Sequence, residues 1–598
     1  MGKIVEGRSA PTLTSSTTSI PQGTRPVATK PLLIGAGAYI LCILMSVAPL
    51  QRAVGVDTIV LPTTKFLLVW GSWLPVDLHL TANVYASQVS TDTLFILSLM
   101  ALAFVIYILC AFALHHQPAQ GNYRTLQRLI WLTAIIAGGI FIITPAMLSH
   151  DIYAYAAYGR MLAIYHTNPY FINLTSFPHD PFYIYDDWKQ IPSAYGPVWE
   201  ALSGLTSQLA GVHIGRAILL FRILAFIPHL LNAFLIVRTL RTMGRSPRTV
   251  TLGMLLYLLN PLILEESSFG GHNDAFMLTP ILLGIFFIAR TEYNNTNTQS
   301  RPRLQQYWAP AAAFALASLI KFSALPVLAL YLVYLASKTY HASFASSTSP
   351  ASPLHVQLAR VRATLQTIIP AGAIGGALIL VLYAPFWIGH NLTDIYYTFN
   401  ATPSNASSYG SVLFALVKWI QANNYPPTSS WIYPIVALFS FHKTWSIITL
   451  AALVLTMIIS SAWLWRTPTV RTMALGMVIT LGLVLVVTYW FFPWYLTWII
   501  APIVLCLPMR YRRLERALLA FTLVFTLSAF SFYLYAYNRP PFGGWSGISE
   551  LTTLGPPLLA FIIFLLMPLK QKRPGGKPSI KDVGTDLSCP PDPSDQPA

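Results

Sequence analysis

Leu94-Phe-Ile-Leu-Ser-Leu-Met-Ala-Leu-Ala-Phe-Val-Ile-Tyr-Ile-Leu-Cys-Ala-Phe-Ala-Leu114 runs for twenty-one residues without a charge. Coiled into a helix, such a run is about 30 Å long, the thickness of the hydrocarbon core of a bilayer. It is apolar on every face, so it lacks the polar stripe that a surface helix of a soluble domain carries. Comparable runs occupy 32–50, 129–147, 215–238, 249–266, 274–291, 308–338 (folded into two), 364–386, 441–465, 470–489, 494–508, 515–535 and 553–569. The chain therefore reads as all-α, a polytopic transmembrane protein of about fourteen spans.

Composition agrees. Of 598 residues, 55% are apolar and only 10% charged, where a soluble domain carries about 25%. The formal charge of +17 would suggest nucleic acid in a soluble protein. Here the basic residues collect between apolar runs, at Arg124 and Arg128, at Arg238 to Arg248, at Arg466 and Arg471, and at Lys570 to Lys577. That is the pattern of cytoplasmic loops in a cell-membrane protein, and no nucleic-acid partner is expected. Both termini are then cytoplasmic. Residues 1–30 form a polar tail, 31–570 the transmembrane domain and 571–598 a disordered tail rich in Pro, Gly and Asp. Cys42, Cys110 and Cys506 lie in apolar runs and Cys589 in the tail, which gives no disulfide or metal framework.

Thirteen of the acidic residues, among them Asp57, Asp151, Glu200, Glu266, Asp274 and Glu550, fall on the opposite face, where three loops, near 51–91, 148–214 and 387–440, are long. Val198 to Val212 and Val412 to Ile420 within them are too short to span and suit interfacial helices. A large polar outer face suits chemistry or recognition there.

Four groups of residues on that face stand out. Asp151, Tyr155 and Tyr158 have the spacing of one helical face, next to Tyr153 and Arg160. A carboxylate beside aromatic rings suits a sugar: the rings stack on its C–H groups and the carboxylate accepts a proton from an attacking hydroxyl. An interfacial aromatic belt, with Asp151 a cap or a partner of Arg160, has the same spacing. Asn260-Pro261 to Glu265-Glu266, then Gly270-Gly271-His272-Asn273-Asp274, put polar groups into a tight turn between two spans. Polar groups at membrane depth must be satisfied, and they mark function; a plain turn with Asp274 as helix cap is the alternative. Lys321 interrupts an apolar stretch, as a lone cation that snorkels or binds a lipid-linked phosphate. Tyr489 to Tyr495, with Trp494 and Tyr495, is either an aromatic belt or the mouth of a lipid-sugar groove. Asn168-Pro169-Tyr170 and Tyr195-Gly196-Pro197 read as turns, with a chance of lining the site.

Taken in order, these words resemble the GT-C class of integral-membrane glycosyltransferases, and most closely the polyprenol-phosphate-mannose-dependent alpha-(1→6)-mannopyranosyltransferases. The resemblance runs collinearly from about residue 129 to about residue 510, and the Asp151-x-Tyr153-x-Tyr155 and Gly271-His272-Asn273-Asp274 words are its most specific parts. It implies an inverting transfer of a hexose, most simply mannose, from a polyprenyl-phosphate sugar to a glycan or glycolipid acceptor at the outer face. Asp151 takes the position of the catalytic base. Tyr153, Tyr155, Arg160, Tyr195, Glu266, His272, Asn273, Asp274, Lys321, Trp494 and Tyr495 are the expected substrate contacts. The donor is a substrate embedded among membrane lipids; no cofactor and no metal is expected, with Lys321, Arg160 or His272 countering a leaving monophosphate. The rival class is a transporter or flippase for a lipid-linked or ionic substrate. It would place charges at mid-membrane and carry repeats, and no repeat is visible here.

Overall fold

The computed structural model describes residues 27–54, 91–144, 148–294, 305–345, 353–400, 428–439, 442–488, 490–509, 513–537 and 548–568. The tails, most of the 51–91 loop and the Val412 to Ile420 stretch lie outside the described residues. The described structure is 80% helical with no strands, as an all-α membrane protein requires.

Among the described residues ten helices are long and apolar enough to cross a bilayer: Lys30–Val47, Leu94–His115, Arg124–Ile143, Ile214–Thr242, Asp274–Tyr293, Phe322–Ala342, Pro353–Trp387, Lys443–Arg466, Val470–Val487 and Arg513–Tyr533. A bent pair, Pro247–Leu258 and Pro261–Ser268, makes an eleventh. The expectation of about fourteen is thus corrected to ten or eleven. Three windows counted as spans are too short as helices: Gln305–Ser318, Pro493–Leu505 and Leu551–Leu566. Hydropathy registers burial in protein and burial in lipid alike, and Thr497–Leu505 is buried throughout by its neighbours.

The bend has a local cause. Pro261 has no N–H to donate, and Asn260 caps the second helix by accepting from the Ile263 N–H at 3.3 Å. Carbonyls near the break find side-chain donors instead. Tyr107 donates to the Leu256 carbonyl, His229 Nε2 to that of Leu258 and Tyr39 to that of Leu259, at 2.9 to 3.1 Å. The bundle thereby tolerates a chain that turns by 53° inside it.

Ile214–Thr242 and Asp274–Asn294 pack against each other at the centre. Asn232 pins them, donating to the Ala275 carbonyl at 2.8 Å and accepting from the Thr279 hydroxyl at 2.8 Å. Pro353–Trp387 and His442–Arg466 sit at the edge with most of their surface uncovered. Two shorter helices, Asp151–Ala163 and Pro197–Ala210, pack together and carry the polar residues that concern function. Pro197–Ala210 covers most of the Val198 to Val212 stretch.

Candidate functional site

Arg222 fixes the framework of the site. Its buried guanidinium donates to the carbonyls of Ile142 and Thr144, where the chain leaves Arg124–Ile143 on its way to Asp151, and to the Phe269 carbonyl, where the Pro261–Ser268 helix ends. One buried cation thus satisfies orphan carbonyls of two helix ends and holds the two polar turns side by side. Gly271 closes the second turn with φ +65°, open to glycine at little cost, and a Cβ there would strike Ile152.

Asp151 opens the Asp151–Ala163 helix, where the dipole favours a carboxylate. Its Oδ2 lies 3.6 Å from His272 Nδ1, and His272 Nε2 lies 3.3 Å from Glu266 Oε2. The His272 ring stacks on Trp494, with centroids 3.7 Å apart. Asp274 opens the next helix and is held differently. Lys321 Nζ reaches its two oxygens at 2.9 and 3.1 Å, and Trp498 Nε1 donates to one of them at 2.6 Å. Lys321 also lies over the rings of Tyr495 and Trp498, 4.6 and 5.5 Å from their centroids. The expectation of a lone cation is therefore corrected, because Lys321 is the ion-pair partner of Asp274.

Asp151, Lys321, Trp494 and Tyr495 meet at one cavity, which Tyr158, Trp188, Pro192, Ala194, Tyr195, Trp490 and Phe492 also line. Tyr195 arrives there because the Gly196 and Val198 N–H groups donate to the Ile320 and Leu319 carbonyls at 3.0 Å, and a Cβ on Gly196 would collide with the Leu319 carbonyl. That junction sets Tyr195 beside Lys321.

Not every expected residue is brought in. Tyr155 lies beneath the lining, edge-on to Tyr195 and Trp199. Tyr153 packs against Tyr185 and His150. Arg160 is buried and bound to Asp180 at 2.7 Å and to the Gly211 carbonyl, which leaves its charge away from the cavity and away from Asp151. Asn273 is buried in the turn, its amide without a hydrogen-bond partner among the described residues. Glu266 accepts from the Tyr533 hydroxyl and reaches Asp151 only through His272. Tyr158, Trp490 and Phe492, from the aromatic stretches read in the sequence, line the cavity, and so does Trp188, which was not expected. Tyr158 was visible at seven residues from Asp151, but Trp188 comes from an aperiodic loop. That loop is set by Asp186, which accepts from the Trp188 N–H at 2.9 Å and whose carboxyl burial pushes up to about 6.

A match to known families now bears on this cavity. Residues 62–338 match the family model described as alpha-(1->6)-mannopyranosyltransferase, N-terminal domain, of the MptA_B family. Over this segment the chain is similar to the alpha-(1->6)-mannopyranosyltransferases, a likeness that supports glycosyl transfer. No curated protein and no solved structure matches it. Within the matched segment of this multi-pass mannosyltransferase-like chain lie Asp151, Glu266, His272, Asp274 and Lys321; Trp490, Phe492, Trp494 and Tyr495 come from beyond it. The cavity thus joins ionic and aromatic groups from the matched part of the chain to further aromatic rings from beyond it.

Proposed function

We propose that the protein is a GT-C-type enzyme that transfers mannose from a polyprenyl-phosphate donor to a hydroxyl of a glycan or glycolipid acceptor at the outer face of the membrane, with inversion at the anomeric carbon. The observation that carries this reading is the meeting of Asp151 and Lys321 on one aromatic-lined cavity. Asp151 accepts the proton of the attacking hydroxyl. The C–O bond to the lipid phosphate breaks, and its electron pair leaves on the phosphate. Lys321, held at the rim by Asp274, presents ammonium hydrogens to that developing charge. Trp188, Trp490, Phe492, Trp494 and Tyr495 give apolar faces to the pyranose ring and to the first isoprene units of the donor. A monophosphate needs a single well-placed cation, in keeping with one lysine in the lining. The Lys/Arg bias of the loops supports the outer face.

The test is donor competition. The full chain, purified in lipid nanodiscs, is offered an alkyl α-mannoside with polyprenyl-phosphate mannose, polyprenyl-phosphate glucose or GDP-mannose. Transfer from the first alone supports the reading. Transfer from GDP-mannose alone overturns the donor class, and transfer from the glucose donor alone overturns the sugar.

A further inference from the structure

His272 is enclosed, with 1% of its side chain exposed, yet neither ring nitrogen makes an aligned hydrogen bond among the described residues. Each nitrogen faces a carboxylate instead, Asp151 at 3.6 Å and Glu266 at 3.3 Å. His229 is the contrast: equally buried, it anchors the Leu258 carbonyl through Nε2 and forms no ion pair with a carboxylate among the described residues. The His272 ring is also fixed in its plane. Trp494 stacks on one face at an interplanar angle of 14°, and a Cβ on Gly270 would stand 2.6 Å from its Cδ2 and 2.9 Å from its Nε2. Beyond it, Glu266 is held by the Tyr533 hydroxyl. The line from the cavity inward therefore runs Asp151, His272, Glu266, Tyr533.

We propose that His272 is a proton conduit that clears Asp151 during transfer, a role that rests on the reading of Asp151 as base. As the acceptor oxygen bonds to the anomeric carbon, its proton moves to Asp151. That proton passes from Oδ2 to His272 Nδ1, and the ring carries it as an imidazolium between Asp151 and Glu266. Asp151 returns to the carboxylate, and no electrons are exchanged. The consequence is that Asp151 regains its charge within the catalytic cycle; by microscopic reversibility the reverse reaction draws its proton back along the same line. After product leaves, the proton goes back by the same path to water in the cavity. The Asp151 gap of 3.6 Å is longer than a hydrogen bond and the 3.3 Å contact to Glu266 lacks hydrogen-bond alignment, as catalytic contacts do before substrate closes a site.

The other ionisable groups around this line come from each neighbouring helix. Glu265 stands beside Glu266, Arg222 is within electrostatic reach of Glu265, and Asp274 and Asp151 are within reach of Glu266. Lys321 offsets Asp274. The cluster holds more carboxylates than cations, so a proton entering it meets no net positive charge.

The experiment compares His272→Gln, His272→Ala with and without imidazole, Glu266→Gln and the Gln–Gln double variant of the purified full chain, using polyprenyl-phosphate mannose and octyl α-mannoside. His272→Gln is expected to lower kcat by about 10- to 100-fold, to leave both KM values within about twofold, and to change the pH profile and the solvent deuterium isotope effect. Imidazole restores severalfold turnover to His272→Ala, and the double variant is no slower than the worse single one. A normal kcat in His272→Gln overturns the conduit. So does loss in both His272 variants without imidazole rescue, and so do losses that multiply in the double variant. Asp151→Asn separates the two claims: if it is inactive while His272→Gln is normal, only the conduit fails, and if it is active, the base reading has failed with it.

Discussion

Asp151 and Asp274 occupy equivalent positions, each the first residue of a helix behind a polar turn, and they are held in opposite ways. Asp274 is 1% exposed and locked, its oxygens taken by the Lys321 ammonium and the Trp498 indole. Asp151 is 13% exposed, opens to the cavity, and has a histidine but, among the described residues, no lysine or arginine at ion-pair distance. The helix dipole gives both the same background field, so the neighbours decide the work. A carboxylate bound to a cation has its lone pairs engaged and serves as an anchor. A carboxylate facing an aromatic cavity has one free for a substrate hydroxyl.

The sharpest way to break this contrast is to neutralise each in turn. Asp151→Asn is expected to cut kcat by a factor on the order of 10² to 10⁴, because it keeps shape but removes the proton acceptor. Asp274→Asn keeps the bond from Trp498 and frees Lys321, so it is expected to act mainly on donor KM. Steady-state kinetics with both substrates varied reads the difference. A dead Asp274→Asn beside a near-normal Asp151→Asn would exchange the two roles.

Lys321→Met comes next in size. The methionine keeps the apolar stem against Tyr495 and removes the charge, so donor KM is expected to rise on the order of 10- to 100-fold, the loss of one charge-assisted contact. Lipid-phosphate binding measured without acceptor checks it directly, and unchanged affinity would leave Lys321 as no more than the partner of Asp274. Smaller again is Trp494→Ala. It removes the ring stacked on His272 and Phe492, worth about 0.5 to 1.5 kcal/mol, and turnover is expected to fall about three- to tenfold. A loss as large as that of Asp151→Asn would place the aromatic wall in the chemistry rather than beside it.

How much of this was legible in the sequence follows from what is local. A carboxylate, a histidine and a lysine amid apolar runs are conspicuous because lipid leaves them few other uses, and Asp151, His272 and Lys321 do converge. The helix from Asp151 was readable from its spacing. Partnerships were not. Lys321 pairs with Asp274 forty-seven positions away and Tyr533 with Glu266 two hundred and sixty-seven away, and no local pattern encodes such distances. Arg160 looked available for the same reason, since Asp180 sits in a loop with no period. The span count erred at apolar helices too short to cross, as at Thr497–Leu505, which protein rather than lipid buries.

Glu200 extends the comparison to a carboxyl with neither cation nor solvent. It lies in Pro197–Ala210 and accepts from the hydroxyl of Ser193, next to Pro192 and Ala194 of the cavity lining. Its other oxygen has no partner among the described residues, and burial pushes its pKa from 4.5 up to about 8. Folding therefore favours the protonated form. Below the ordinary carboxyl range both states are protonated and nothing is lost. As pH rises from about 4.5 to about 8 the unfolded chain ionises first, so stability declines across that window and levels off above it. Glu200→Gln keeps the polar side chain without the proton equilibrium and is expected to flatten the decline. The difference in Tm between the two proteins should grow by a few degrees between pH 5 and pH 8. Parallel melting curves across that range would show that Glu200 is solvated in the folded protein, and the contrast between Asp151 and its neighbours would then rest on Asp274 alone.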